Sequence, residues 1–355
     1  MNAATFPRDR PLEERLLHVD PRAGTLRDAR IGDLASLIRA GDLLVLNDAA
    51  TLPGAIAART ASGAPLEVRV LARTGGAPLA APDFQRSPTW QAVLFGPGDW
   101  RTKTEDRLPP PEVRVGDRLA LGALAACEAV VEAVDARSPR LVTLRTEATV
   151  QELYRIGKPV QYAYIERDLA LWQVQTAYAS RPWAAEMPSG GRPLTWGLLL
   201  ALRRRGVGLA SLTHAAGLSS TGDAELDARL PLAERYEIPV ETARVIAKTR
   251  REGGRIVAVG TTVVRALEGS ALDGAEEAEE GEEAEEGETN LRIGPGFRPC
   301  LTDGILTGVH DPAASHFSLL QAFAPKALLE RAYAHAEREG YLGHEFGDSS
   351  LILPD

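Results

Sequence analysis

Cysteine is scarce in this chain of 355 residues, which contains only Cys127 and Cys300. The two are far apart, and neither lies in a Cys-x-x-Cys pair or beside histidines, the spacings that are typical of disulfide frameworks and zinc sites. The sequence therefore indicates neither a disulfide-stabilised secreted domain nor a structural zinc site. We expect no metal in the functional site, and a reducing cytoplasm fits the low cysteine content.

Long apolar segments are also absent. No run approaches the roughly 18 apolar residues that are needed to cross a bilayer, and the richest one, Leu198–Leu202, is followed directly by three arginines. The first residues carry charges on both sides of a very short apolar stretch, unlike a signal peptide. These features predict a soluble, cytoplasmic protein that does not enter a membrane.

Negative charge is concentrated in one segment. The formal net charge is −9, and residues 275–288 alone hold nine glutamates and no basic residue. With these nine set aside, the 49 acidic residues fall to 40 and equal the 40 basic ones, so a nucleic-acid partner is permitted but not indicated. Because like charges at every helical spacing repel, we predict an acidic mobile loop over 273–289, with an acidic interaction tag as the alternative.

The length favours two domains, each with its own core. Between residues 59 and 153, short alternating runs such as Leu66–Leu71 and Trp90–Phe95 are separated by Gly and Pro, which predicts a small antiparallel β-barrel or sandwich. On both sides the pattern changes to strands followed by helices. We therefore predict an α/β main domain, formed by 1–58 and 154–355, with an inserted β-domain at 59–153.

The sharpest local signal is a predicted strand that ends in a glycine and a helix start, at Ile256–Arg265. A glycine after a buried strand, here Gly260, lets a ligand approach the backbone. Thr261 and Thr262 place hydroxyls beside the unpaired N–H groups of the helix start, which favours binding of a carboxylate or phosphate. The alternative is that one threonine only caps the helix.

Three further polar residues occupy turns where α/β proteins place ligands. Asn47 ends a predicted strand, His310 lies in a predicted loop, and Asp348 precedes the apolar run Leu351–Leu353. An imidazole can move a proton near neutral pH. Each residue also has a structural alternative, a satisfied turn for Asn47 and Asp348 and a solvated or structural ring for His310.

Taken in order, these segments and several others match one family. The chain resembles the S-adenosylmethionine:tRNA ribosyltransferase-isomerases of queuosine synthesis over nearly its whole length, apart from the inserted strands and the glutamates. The resemblance implies an enzyme with a barrel-like α/β main domain and an inserted small antiparallel β-barrel. It implies transfer and isomerisation of the ribosyl part of the co-substrate S-adenosylmethionine onto a 7-aminomethyl-7-deazaguanine in tRNA. The matching segments are Leu43–Asn47 with Pro53, Gln175–Ala179, Pro188–Gly191, Arg255–Glu268, Pro295–Phe297, Thr307–Pro312, Gln321–Ala324 and Gly347–Asp348.

Five positions depart from the family pattern. Where that pattern has three histidines and two arginines, this chain has Pro193, Thr213, Leu232, Ala50 and Ala55. His214 is displaced by one residue from a family histidine, and one step along a strand turns a side chain to the opposite face. Because proton carriers and phosphate-pairing groups are lost, we expect S-adenosylmethionine binding to survive, tRNA binding to be weakened, and transfer to tRNA to be slow or absent.

The candidate site has a catalytic and a binding part. The remaining candidates for proton transfer are Glu234, His310 and Asp348, and the assignment of acid and base among them stays open. We expect an enzyme that acts as a monomer. Two alternatives stand beside it: a paralogue that uses S-adenosylmethionine with a different acceptor, and a protein that binds such a ligand without turnover. The predicted ligand-binding residues are Asn47, Pro188, Ser189, Gly190, Gly191, Gly260, Thr261, Thr262 and Arg265.

Overall fold

The computed structural model describes residues 1–73, 89–122, 127–272, 284–310 and 315–355. Within these ranges no helix has the length and apolarity that a bilayer crossing requires. The helices are α1 (Leu34–Leu37), α2 (Val150–Ile156), α3 (Trp196–Arg204), α4 (Ala224–Asp227), α5 (Val240–Arg251), α6 (Thr261–Leu272), α7 (Ser315–Leu320) and α8 (Lys326–Arg338). The strands are β1 (Arg15–Asp20), β2 (Thr25–Arg30), β3 (Leu43–Asn47), β4 (Ala49–Thr51), β5 (Ala55–Thr60), β6 (Pro65–Arg73), β7 (Thr89–Phe95), β8 (Arg118–Leu121), β9 (Cys127–Val134), β10 (Leu141–Thr146), β11 (Gly157–Lys158), β12 (Arg181–Ala184), β13 (Gly208–His214), β14 (Glu234–Ile238), β15 (Ile256–Val259), β16 (Glu285–Thr289), β17 (Gly304–Gly308) and β18 (Ser349–Ile352).

The main sheet has nine strands, in the order β16-β14-β13-β3-β15-β17-β18-β1-β2. β3 pairs in parallel with β13 on one side and with β15 on the other, and β15 is parallel to β17. The carboxyl ends of these four strands therefore meet at one edge of the sheet. We call this the carboxyl edge, and it is the edge at which open α/β sheets bind ligands.

Side chains alternate between two cores, one on each face of the main sheet. In β3, Leu43 and Val45 belong to the core beneath α6 and α8, whereas Leu44 and Leu46 belong to the core beneath α1 and α3. All four are buried. A strand covered on both faces needs apolar residues at every position, which explains the continuous apolar run in the sequence.

The inserted strands close into a small antiparallel barrel. Strands β5, β6, β7, β10, β9 and β8 follow one another, and β5 also pairs with β8. Val68 and Leu94 point into the barrel core, whereas Val93 and Phe95 pack outward in a cluster with Ala185. The predicted α/β fold with an inserted antiparallel β-barrel is therefore confirmed. The domain boundaries at residues 59 and 153 stay a prediction. Along the chain, the first strand of the sheet that forms the barrel is β5 and the last is β11.

The prediction of an acidic mobile loop over 273–289 is wrong at its end. Residues 285–289 form β16, which pairs antiparallel with β14 at the edge of the main sheet. Repulsion at helical spacing does not apply to a strand, because its successive side chains point to opposite faces. The glutamates also find partners, since Glu286 lies 2.5 Å from Arg235 and Glu285 accepts a hydrogen bond from the Ser270 hydroxyl at 2.8 Å. Residues 273–283 lie outside the described residues.

A buried carboxylate on α6 fixes the segment that leads into β17. Glu268 accepts hydrogen bonds from the backbone N–H groups of Cys300, Leu301 and Thr302 at 2.8, 3.1 and 2.9 Å. The Thr302 hydroxyl donates a further one at 2.7 Å. These bonds compensate the cost of burying the carboxylate and join α6 to the main sheet.

Glu268→Gln should destabilise the fold, because an amide NH₂ would then face backbone N–H donors. We expect the free energy of unfolding, measured by urea denaturation, to fall by about 1–3 kcal/mol. The matched control is Glu241→Gln on α5, whose side chain is 81% exposed, and it should change stability by less than about 0.5 kcal/mol. Equal effects of the two substitutions would contradict the structural role of Glu268.

Candidate functional site

The predicted binding residues lie just beyond the strands that end at the carboxyl edge. β3 ends at Asn47, β15 is followed by Gly260, and His310 is the second residue after β17. The turn Pro188–Gly191 lies against the same edge, because Gly190 contacts Gly260. Segments that are remote in sequence are thus brought to one side of the main sheet.

Asn47 is fully engaged within the protein. Its amide nitrogen donates to the His214 carbonyl oxygen at 3.0 Å and to the Thr262 hydroxyl at 3.2 Å. Its amide oxygen accepts from the backbone N–H groups of Ala49 and His214, both at 3.0 Å. The side chain therefore joins the ends of β3 and β13 to the start of α6, and its role is to position the site.

Two glycines allow the turn and α6 to approach closely. A Cβ atom on Gly190 would lie 3.1 Å from the Gly260 Cα and 3.3 Å from the Leu306 carbonyl oxygen. Gly260 itself has φ +89, a conformation that favours glycine. The first N–H groups of α6, from Thr261 onward, have no partner within the helix, and the helix dipole makes this end attractive to anions.

A buried charge pair lies beside this helix start. Glu234 pairs with Arg265, accepts a hydrogen bond from the Gly217 N–H at 2.7 Å, and lies 3.4 Å from the His214 Nε2. Burial raises the pKa of Glu234, although Arg265 opposes this effect. Burial and the Arg265 charge hold the pKa of His214 well below its usual range. Glu234 therefore fixes the position of Arg265, and His214 stays neutral.

Two stacked histidines form another part of the edge. The rings of His310 and His316 have centroids 4.3 Å apart, and the His310 Nε2 lies 3.5 Å from the Thr307 hydroxyl. Burial, with smaller contributions from His316 and His344, holds the pKa of His310 well below its usual range. Burial and Arg265 lower the pKa of His316 to about 4. Both rings are therefore neutral at pH 7, the state in which an imidazole accepts a proton.

Asp348 lies at the same edge, and both its carboxylate and its backbone carbonyl bind other protein groups. Its carboxylate accepts from the backbone N–H groups of Arg15 at 2.9 Å and Leu342 at 2.8 Å, and it pairs with Arg8 at 2.8 Å. Its backbone carbonyl accepts from the Val309 N–H at 2.9 Å. The residue thus joins β1 and the loop 342–348 to the end of β17.

Two carboxyl groups at this edge were missed in the sequence. Glu186 lies two residues before the turn 188–191, and Glu345 lies in the loop before β18. Tyr162 donates a hydrogen bond to Glu186, and Tyr164 donates one to Glu345 at 3.4 Å. Burial raises the pKa of both carboxyls, that of Glu345 to about 8. In the sequence, the one feature that points to these two residues is that each lies two residues before a segment that matches the family, Pro188–Gly191 or Gly347–Asp348.

The arrangement suits binding of a charged small molecule and proton transfer to or from it. The start of α6 offers N–H groups to an anion, the neutral imidazoles can accept a proton, and Glu345, whose pKa is raised to about 8, can give one up near neutral pH. Among the side chains that the structure describes, no group of three His, Cys, Asp or Glu is placed to bind a metal ion.

Comparisons with known proteins identify the family of this chain. A family model described as "Queuosine biosynthesis protein" matches residues 2–352. The S-adenosylmethionine:tRNA ribosyltransferase-isomerases of Thiobacillus denitrificans and Thermus thermophilus are 32% and 34% identical, over 98% and 97% of this chain and 93% and 94% of theirs. The crystal structure of S-adenosylmethionine tRNA ribosyltransferase from Thermotoga maritima shares the fold, with TM-score 0.52 and 24% identity over 99% of this chain and 96% of that one. The resemblance found in the motifs is thus confirmed, and the chain belongs to the queuosine biosynthesis protein family.

Proposed function

We propose that this chain is an S-adenosylmethionine-dependent ribosyltransferase-isomerase that acts on tRNA. The reaction would transfer and isomerise the ribosyl part of S-adenosylmethionine onto a 7-aminomethyl-7-deazaguanine. The observation that carries the proposal is the close approach of Gly190 to Gly260 at the start of α6, within a chain that matches the family along its length. The names of the relatives, which include both S-adenosylmethionine and tRNA, support it.

The start of α6 is the proposed binding place for the carboxylate of S-adenosylmethionine. Backbone N–H groups bind an anion there without a particular side chain, and the turn 188–191 forms the opposite wall. Arg265 adds a positive charge whose position Glu234 fixes. The hydrogen bonds of Asn47 hold the start of α6 next to the ends of β3 and β13.

Of the three predicted catalytic residues, His310 is assigned the direct role. The sulfonium acidifies the neighbouring 5′ carbon, and a neutral imidazole can remove a proton from it. Burial keeps the ring of His310 in the neutral form. Glu234 and Asp348 are assigned positioning roles, because their carboxylates bind Arg265 in the first case and Arg8 in the second.

The function is tested by incubating the protein with S-adenosylmethionine, with and without tRNA that carries the 7-aminomethyl-7-deazaguanine. We expect calorimetry to detect S-adenosylmethionine binding, and mass spectrometry to detect slow release of adenine and methionine that depends on the tRNA. Release that does not depend on tRNA would favour a different acceptor. Binding without release would favour a ligand-binding protein, and the absence of binding would exclude all three functions.

Gly190→Ala should weaken binding of S-adenosylmethionine, because the added methyl group pushes the turn away from Gly260. We expect the dissociation constant, measured by calorimetry, to rise about tenfold, which corresponds to about 1.4 kcal/mol. The control is Gly197→Ala at the exposed start of α3, where the nearest atom to an added Cβ is the Thr195 hydroxyl at 3.8 Å. Unchanged affinity in Gly190→Ala would place the binding site elsewhere.

A further inference from the structure

A stacked pair of tyrosines holds two carboxyl groups side by side at the carboxyl edge. The rings of Tyr162 and Tyr164 have centroids 6.3 Å apart and are inclined by only 11°. The Tyr162 hydroxyl donates to Glu186, and the Tyr164 hydroxyl donates to Glu345. Both residues are half-buried.

Hydrogen bonds to the Glu186 carboxylate offset part of the effect of burial, which raises its pKa. Besides the Tyr162 hydroxyl, the Ser219 N–H donates to its carboxylate at 2.9 Å and the Ser219 hydroxyl lies at 3.2 Å. Hydrogen bonds to a carboxylate oppose the cost of burying its charge. The charge of Arg69 acts in the same direction.

The surroundings of Glu345 favour its protonated form. Among the described residues it has a single hydrogen bond, the one from Tyr164 at 3.4 Å, and no salt bridge. Arg192, whose charge lowers the pKa of Glu345 slightly, is already paired with the buried Glu14. Burial and the negative charge of Glu186 raise the pKa of Glu345 to about 8, against the effects of Tyr164 and Arg192. Two neighbouring carboxyls that share one proton often divide the acid and base roles.

The residues on both sides of Glu345 are fixed by their backbone conformation or by ring packing. The preceding residue, His344, has φ 69, a left-handed conformation that is uncommon for residues other than glycine. Its ring packs on Tyr164 with centroids 4.6 Å apart. On the other side of Glu345, the Phe346 ring lies 5.5 Å from the Arg192 guanidinium. The backbone is therefore held on both sides of the carboxyl.

We propose that Glu345 donates the proton to the departing adenine, and that Glu186 is a positioning residue that keeps Glu345 protonated. The proposal rests on the proposed function. As the bond between C1′ and the adenine nitrogen breaks, its electron pair leaves with adenine, and the lone pair of the acceptor's aminomethyl nitrogen forms the new bond to C1′. Adenine takes the proton of Glu345 and leaves neutral, while a carboxylate remains. Since His310 takes one proton and Glu345 gives one, the net charge of the protein is unchanged.

Glu345→Gln tests the proton donor. With S-adenosylmethionine and tRNA carrying the 7-aminomethyl-7-deazaguanine, we expect kcat for adenine release to fall about 100-fold or more, while KM for S-adenosylmethionine changes little. A general acid works only while it is protonated, so wild-type activity should fall as the pH rises past about 8. The variant should lack this alkaline decline. The control, Glu339→Gln at an exposed position, should keep both the rate and the decline.

Glu186→Gln distinguishes an effect on the pKa of Glu345 from general destabilisation of the fold. Removal of the neighbouring negative charge lowers the pKa of Glu345, so the alkaline decline should move to lower pH rather than disappear. Infrared difference spectra of wild type and Glu345→Gln at pH 7 should show one protonated carboxyl band that the variant lacks.

The outcomes distinguish the two proposals. Adenine release by the wild type at a rate that Glu345→Gln matches would overturn the role of Glu345 alone. A slow variant that keeps the alkaline decline, or the absence of the carboxyl band, would also overturn it. A wild type that releases no adenine with this tRNA would overturn both the proposed function and the role of Glu345.

Discussion

The hydrogen bonds of one buried amide, that of Asn47, determine the geometry of the carboxyl edge. The amide contacts the backbone of His214 through both its nitrogen and its oxygen, and it contacts the hydroxyl of Thr262. The end of β13 and the start of α6 are thereby fixed relative to β3. Arg265 lies one turn along α6, so the same contacts help to position it.

The positions at which the sequence predicts departures from the family pattern take part in packing and hydrogen bonding. Thr213 is one of them, and its hydroxyl donates to Asp48 at 2.6 Å. Leu232 packs against the apolar cluster on the outer face of the barrel, and Pro193 is buried. The proposed proton-transfer groups lie on other elements, among them the loop before β18.

The sequence predicts those features that depend on local pattern. Alternation identifies the barrel strands, and the continuous apolar run of β3 indicates a sheet covered on both faces. Features that depend on contacts between distant residues are different. Glu186 and Glu345 are remote in sequence, and each accepts a hydrogen bond from one of the two stacked rings, Tyr162 and Tyr164. No periodicity in the chain predicts these contacts. The partners of β16 are likewise remote in sequence, so counting its glutamates predicted a loop where a strand forms.

The acidic strand β16 has a further consequence for the behaviour of the protein at high concentration. Exposed edge strands offer unpaired backbone groups to other chains and are common starting points of aggregation. In the part of the chain that the structure describes, the six barrel strands close on themselves, because β5 pairs with β8. The main sheet ends in β16, with three glutamates, and in β2, with Arg27, Asp28 and Arg30. A second chain that added a strand at either edge would have to accommodate these charges, so both edges resist self-association.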